Sequence, residues 1–175
     1  NALCKLLNKR GYKLSNNKLL ISNRASLDLS KIEQVENFFD TYQPDIVIIA
    51  AAKVGGILAN LTKPVNFLLE NLKIQNNLIE TSWKYKVKRL IFLGSSCIYP
   101  KFASQPIKEE YLMSSTLEKT NEFYALAKIA GIKLCEALRI QHNFNSICLM
   151  PTNLYGPGDN YHSLNSHVIP GLIKK

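Results

Sequence analysis

The chain has 175 residues, 46% of them apolar and 20% charged, which fits a single globular α/β-sized unit with a proper core. No apolar stretch approaches membrane-spanning length, which excludes a helical membrane anchor within these residues. The formal net charge of +9 comes from lysines spread along the chain, so it argues against a nucleic-acid interface and suits an anionic small ligand. Residues 2–10 place Ala2, Leu3, Leu6 and Leu7 at helical spacing, and Gly11 stops the pattern. KLLIS (18–22) predicts a strand. Ile32, Val35, Phe38, Phe39 and Tyr42 predict a helical face over 31–42, which Pro44 ends. DIVIIAA (45–51) is a continuous apolar run, expected of a strand buried on both faces of a parallel sheet. Pro64 opens a long helix to Lys84, with Leu68, Leu72, Ile79 and Trp83 inward. RLIFL (89–93) is the next strand, 124–141 a helix, 146–150 a strand, and 167–175 the start of a further helix.

Strands alternating with helices define a doubly wound, Rossmann-type parallel sheet, whose ligands sit at the carboxyl ends of the strands. Those ends are 22–24, 50–56, 94–99 and 151–157, and the longest irregular stretch, 100–122, has the length of a functional loop. Cys4, Cys97, Cys135 and Cys148 have no metal-ligand spacing, so no metal is expected, and free thiols imply a reducing, cytoplasmic setting. Cys135 and Cys148 fall in apolar runs and read as core filler.

Tyr124 and Lys128 form Tyr-x-x-x-Lys, which puts both on one helix face. An ammonium beside a phenol would draw its pKa down from about 10 towards the working range. A surface pair is the plain alternative. Ser95, at the end of the preceding strand, would hold a substrate carbonyl beside the tyrosine, or simply make a turn. Together the three suggest the triad of the short-chain dehydrogenase/reductases. Arg24 follows the second strand with no acid at its tip, as suits a 2′-phosphate of NADP, or is a loop arginine.

AAKVGGI (51–57), FLGSSCIYPK (92–101), NEFYALAKIAGIKLCE (121–136), MPTNLYGP (150–157) and NSHVIP (165–170), in that order, resemble the GDP-L-fucose synthases. These are extended short-chain enzymes, also called GDP-4-keto-6-deoxymannose epimerase-reductases. The resemblance implies inversion of both carbons beside the ketone of a GDP-linked 4-keto-6-deoxymannose, then reduction of the ketone with NADPH. It assigns Ser95, Tyr124 and Lys128 to the reduction and Cys97 and His167 to the proton exchange; thiol and imidazole both titrate near neutrality. On their own, Cys97 reads as packing and His167 as a surface or capping residue. For NADPH the resemblance implies contacts from Arg24, Asp28, Leu29, Ala51, Ala52, Leu93, Gly94, Ser95, Ser96, Lys128, Pro151, Thr152, Asn153, Leu154 and His167. Lys175 would meet the substrate phosphate. It also implies a homodimer through 64–84 and 124–141, where Leu68, Leu72 and Leu134 could equally be core, and no nucleic-acid or membrane partner.

The pattern departs from the family in its glycine-rich fingerprint, and the connection over 12–20 is a few residues longer than the family's usual one. No G-x-x-G-x-x-G occurs, and no strand precedes the first helix. The expectation is a partial NADP-binding Rossmann domain over 1–175, with the first strand and glycine-rich loop preceding Asn1 and most of the substrate domain following Lys175. Such a chain by itself is expected to be inactive and poorly stable. Another extended short-chain epimerase or dehydratase, or a non-catalytic dinucleotide sensor on the same fold, would share the sheet; neither has need of both Cys97 and His167.

Overall fold

The computed structural model describes residues 2–12, 19–21, 23–162, 166 and 168–174. Its elements, in chain order, are α1 (Ala2–Lys9), α2 (Ile32–Tyr42), β1 (Ile46–Ile49), α3 (Ile57–Thr62), α4 (Pro64–Lys84), β2 (Arg89–Leu93), α5 (Glu122–His142), β3 (Ser146–Leu149) and α6 (Val168–Ile173). Single 3-10 turns lie at Ser96–Ile98 and Glu109–Tyr111. The three strands form one parallel sheet in the order β1-β2-β3. The helix–strand alternation legible in the sequence is therefore present, as a Rossmann-like parallel α/β sheet.

Register decides which side chains share a face. Val47, Leu90 and Ser146 align across the sheet, as do Ile49, Phe92 and Cys148. Side chains alternate along a strand, so these six point to one face. That face carries α4 and α5, and Val35 and Phe39 of α2 complete its core. The opposite face presents Ile48, Ile91 and Leu93, half-buried, and Ile147 and Leu149, 37% and 47% exposed. Among the described residues the helical layer is packed on one face: α1 has no buried residue, and α6 buries only Pro170.

The inward stripe of α4 is rotated from the one expected. Phe67, Asn71, Gln75, Leu78, Ile79 and Ser82 are buried, whereas Leu68, Leu72 and Trp83 are half-buried. The stripe turned because α5 lies against α4, and polar Asn71 and Gln75 find backbone partners there. Asn71 brackets Lys53: its Oδ1 accepts from the Lys53 N–H at 2.8 Å, and its Nδ2 donates to the Lys53 carbonyl at 3.1 Å. Gln75 Nε2 donates to the Ala127 carbonyl of α5 at 2.6 Å. Gly131 lets these layers close, since a Cβ there would lie 2.7 Å from the Phe92 ring and 2.9 Å from Gln75.

One expectation is corrected and one further helix is found. The strand over 18–22 falls partly outside the described residues, and Leu19, Leu20 and Ile21 are not in a strand. A strand exists only through its partner, and β1 is the edge of the described sheet. Residues 57–62, which carried no sequence assignment, form α3, entered through Gly56 and held by Asn60 Nδ2 donating to the carbonyls of Gly55 and Gly56 at 2.9 and 3.0 Å.

Candidate active site

Because the strands are parallel, the segments 50–56, 94–99 and 150–154 leave the same edge of the sheet. Pairing continues past the strand ends. Gly94 N–H donates to the Leu149 carbonyl at 2.8 Å, and Ser96 N–H to the Pro151 carbonyl at 3.2 Å. Gly94 sits close to its surroundings: a Cβ there would lie 3.2–3.3 Å from Met150 Sδ, Ile132 Cδ1 and the Leu149 carbonyl. Ser95 then caps the 3-10 turn, its Oγ accepting from the Cys97 N–H at 3.3 Å. This bond ties the Ser95 side chain to the backbone of Cys97 within one short segment.

The first turns of α5 meet that segment. Ser95 and Cys97 both lie close enough to the Tyr124 phenol to act on its pKa. Lys128, one helical turn on, is 3% exposed, and its Nζ donates to the Leu93 carbonyl at 2.8 Å. The same Nζ lies 4.8 Å from the Phe92 ring centroid and 5.9 Å from that of Tyr124. Four of the residues singled out from the sequence, Ser95, Cys97, Tyr124 and Lys128, are thus brought together from two elements.

Their electrostatics differ from the expectation. Burial pushes the Tyr124 phenol up to about 12, the neighbouring Cys97 adds to this, and Ser95 opposes it. Burial alone brings the Lys128 ammonium down to about 8. Lys128 does not draw the phenol down here, because its proton is directed at the Leu93 carbonyl and both groups lose water. A phenol so placed keeps its proton at neutral pH, which suits a proton donor to a ketone oxygen as it is reduced.

The remaining positions divide. Ala51 and Ala52 are half-buried beyond β1; Leu93, Ser96 and Pro151 are half-buried, and Gly94 buried, around β2 and β3; Thr152, Asn153 and Leu154 are exposed. Arg24 is exposed, its Nη2 3.6 Å from Glu70 Oε2, and Lys53 Nζ is 3.8 Å from the other carboxylate oxygen. Asp28 is engaged in its own loop. Ser30 donates to its carboxylate through Oγ at 2.7 Å and N–H at 3.0 Å, bonds that lower its pKa. Leu29 packs on the core, and its carbonyl accepts from Asn77 Nδ2 at 2.9 Å. His167 and Lys175 lie outside the described residues; Ser166, before the histidine, has its carbonyl near Gly56 of the 50–56 segment. Sequence reasoning missed Asn71 as the clamp on that segment. The available signal was its place among Phe67, Gln75 and Leu78 at helical spacing, an amide on an otherwise inward stripe.

A parallel α/β sheet with a Ser and a Tyr-x-x-x-Lys pair at its carboxyl edge is the arrangement of the short-chain dehydrogenase/reductase fold. The chain belongs to the NAD dependent epimerase/dehydratase family, whose model matches residues 1–175. Among its relatives, GDP-L-fucose synthase 1 of Arabidopsis thaliana is 53% identical over 175 residues, all of this chain and 53% of that protein. A GDP-D-glycero-L-gluco-heptose synthase of Campylobacter jejuni, solved in the presence of NADPH, superposes with a TM-score of 0.92 at 40% identity, over 99% of this chain and 49% of the other. A GDP-L-fucose synthetase of Naegleria fowleri bound to NADP superposes with a TM-score of 0.86 at 30% identity, over 98% and 56%. The chain spans about half the length of the curated relatives it matches.

Proposed function

We propose that this chain carries the catalytic half of an NADPH-dependent GDP-L-fucose synthase, which epimerises GDP-4-keto-6-deoxymannose at both carbons beside the ketone and then reduces the ketone. The observation that carries it is the convergence of Ser95, Cys97, Tyr124 and Lys128 at one strand end. A reductase needs the serine, tyrosine and lysine; the thiol is the additional group that proton exchange at carbon requires.

The residues present fit a phosphorylated dinucleotide. Lys128 directs one of its three N–H bonds at Leu93, which leaves donors for ribose hydroxyls. Arg24 is exposed and only loosely held by Glu70, within reach of a 2′-phosphate. Ala51, Ala52 and Gly94 keep the strand edge low, and Pro151–Leu154 frame its other side. NADPH, when bound, supplies the hydride for the ketone carbon. Ser95 holds the ketone oxygen by hydrogen bond, and Tyr124 delivers its phenolic proton to that oxygen. For the epimerisations the same two groups stabilise the enolate oxygen. Cys97 takes up and returns protons at the adjacent carbons, with His167 as its partner on the other face. Lys175 meets the substrate phosphate in this reading, and Asp28 and Leu29 lie on the adenine side. A homodimer through α4 and α5 is supported by the exposed Val65, Leu69, Leu126 and Ile140 on those two helices.

The test uses the protein at the length of its relatives, with the keto sugar and NADPH in deuterated water. Deuterium is expected at both carbons flanking the ketone. In Cys97→Ser the exchange should fall by about 10²–10⁴-fold, the usual worth of a positioned acid–base group, while reduction of the unepimerised ketone persists. Reduction without any deuterium entry in the wild-type protein would leave a plain ketoreductase.

A further inference from the structure

One carboxylate meets two of the segments assigned to the cofactor. Glu70, on α4, has Arg24 Nη2 at 3.6 Å from its Oε2 and Lys53 Nζ at 3.8 Å from its Oε1. Its Oε1 also accepts from Asn66 Nδ2, one helical turn earlier, at 3.1 Å. Both segments are held by bonds that do not involve Glu70. Asn71 brackets the Lys53 backbone, and Asn77, two helical turns after Glu70, donates to the Leu29 carbonyl. Arg24 itself stands in a turn that Asn23 closes, its Oδ1 accepting from the N–H groups of Ala25 and Ser26 at 2.9 and 3.1 Å. The acid within that segment, Asp28, is taken up by Ser30. What Glu70 adds is therefore charge more than position. Both of its ion pairs are longer than a hydrogen bond, and the Arg24 side chain is 74% exposed. Pairs so long and open hold a side chain only weakly. A negative charge on a helix reaches further, about 8–10 Å at ordinary ionic strength.

We infer that Glu70 is a specificity-determining residue that opposes the 2′-phosphate of NADPH and so lowers the preference of this site for NADPH over NADH. The inference rests on the assignment of Arg24 to that phosphate. A phosphate that pairs with the Arg24 guanidinium comes within range of the Glu70 carboxylate, which repels its charge and competes for the same cation. NADH carries a hydroxyl at that position and escapes both effects. Of the two roles open to the carboxylate, holding the arginine and repelling the phosphate, the second is the larger, because the ion pair is long and solvated while the phosphate carries about two charges.

The test titrates the protein, at the length of its relatives, with NADPH and with NADH, as wild type, Glu70→Gln and Arg24→Ala. Glutamine keeps an acceptor for Asn66 and removes only the charge. Glu70→Gln is expected to bind NADPH about three- to tenfold more tightly, with NADH unchanged. At about 0.5 M salt, where the screening length falls to about 4 Å, the gain should largely vanish. An unchanged or weakened NADPH affinity in Glu70→Gln, an equal change with both nucleotides, or a gain that persists in salt overturns the inference. Arg24→Ala separates this failure from that of the cofactor assignment. If Arg24→Ala leaves the preference for NADPH unaltered, the assignment of Arg24 is wrong and the inference goes with it. If Arg24→Ala loses the preference while Glu70→Gln gains none, the assignment stands and only the role of Glu70 is refuted.

Discussion

Lys128 is the residue on which the site turns. A lysine 3% exposed in an apolar setting is costly as an ammonium, and its pKa falls to about 8 from an ordinary 10.5. Between these values the unfolded chain holds a proton that the folded chain has released. Stability therefore rises with pH from about 8 towards 10, by about 2 kcal/mol on the scale of 1.4 kcal/mol per pKa unit. Urea midpoints at pH 7.5 and 10 should show the rise in the wild-type chain and a smaller one in Lys128→Met; equal slopes would mean that the amine is hydrated. Tyr124 acts with the opposite sign. Its phenol, raised to about 12, keeps a proton that the unfolded chain loses near 10, so stability falls again above that pH. The spacing of tyrosine and lysine was legible in the sequence, because four residues is one helical turn. Their pKa values were not, because burial and the Leu93 carbonyl belong to other elements.

At the scale of elements, the contact of α4, α5 and the sheet governs the rest. At Gly131 an added methyl group would meet both Phe92 and Gln75. Alanine would gain about 1 kcal/mol of helix propensity. The overlap at 2.7–2.9 Å costs about 1–3 kcal/mol in a filled core. Gly131→Ala is thus expected to lower the chemical-denaturation midpoint, and Gln75→Ala should relieve part of the loss in the double variant. An unchanged or raised midpoint would show that the layers can part without cost. β1, β2 and β3 were readable as strands from their apolar runs, within a residue or two at each end. The inward stripe of α4 was not: hydropathy favours Leu68 and Leu72, whereas the amides of Asn71 and Gln75 are carried inward by the backbone groups they satisfy.

For the whole molecule, the balance between chemistry and binding is uneven. The candidate acid–base groups are assembled, but the 175 residues contain no G-x-x-G-x-x-G pattern, the fingerprint whose backbone N–H groups meet a pyrophosphate. NADPH titrated into this chain by fluorescence is therefore expected to bind weakly and without saturation. Tight, saturable binding would show that Arg24, Lys128 and the strand edge suffice. On the sheet face opposite α4 and α5, Ile48, Ile91 and Leu93 are half-buried and Ile147 and Leu149 are exposed.

The sequence by itself determined the fold class, the strand order of chemistry along the chain and the identity of the acid–base candidates. Hydrophobic periodicity and short-range spacing are local properties, and Ser95, Tyr124 and Lys128 carry them, whereas Cys97 became a candidate only through the family resemblance. The tertiary structure alone decided what those groups are worth. It set which pKa values move and in which direction, and it placed Asn71 as the clamp on Lys53. Each of these depends on desolvation and on partners distant in the chain, which no local pattern encodes.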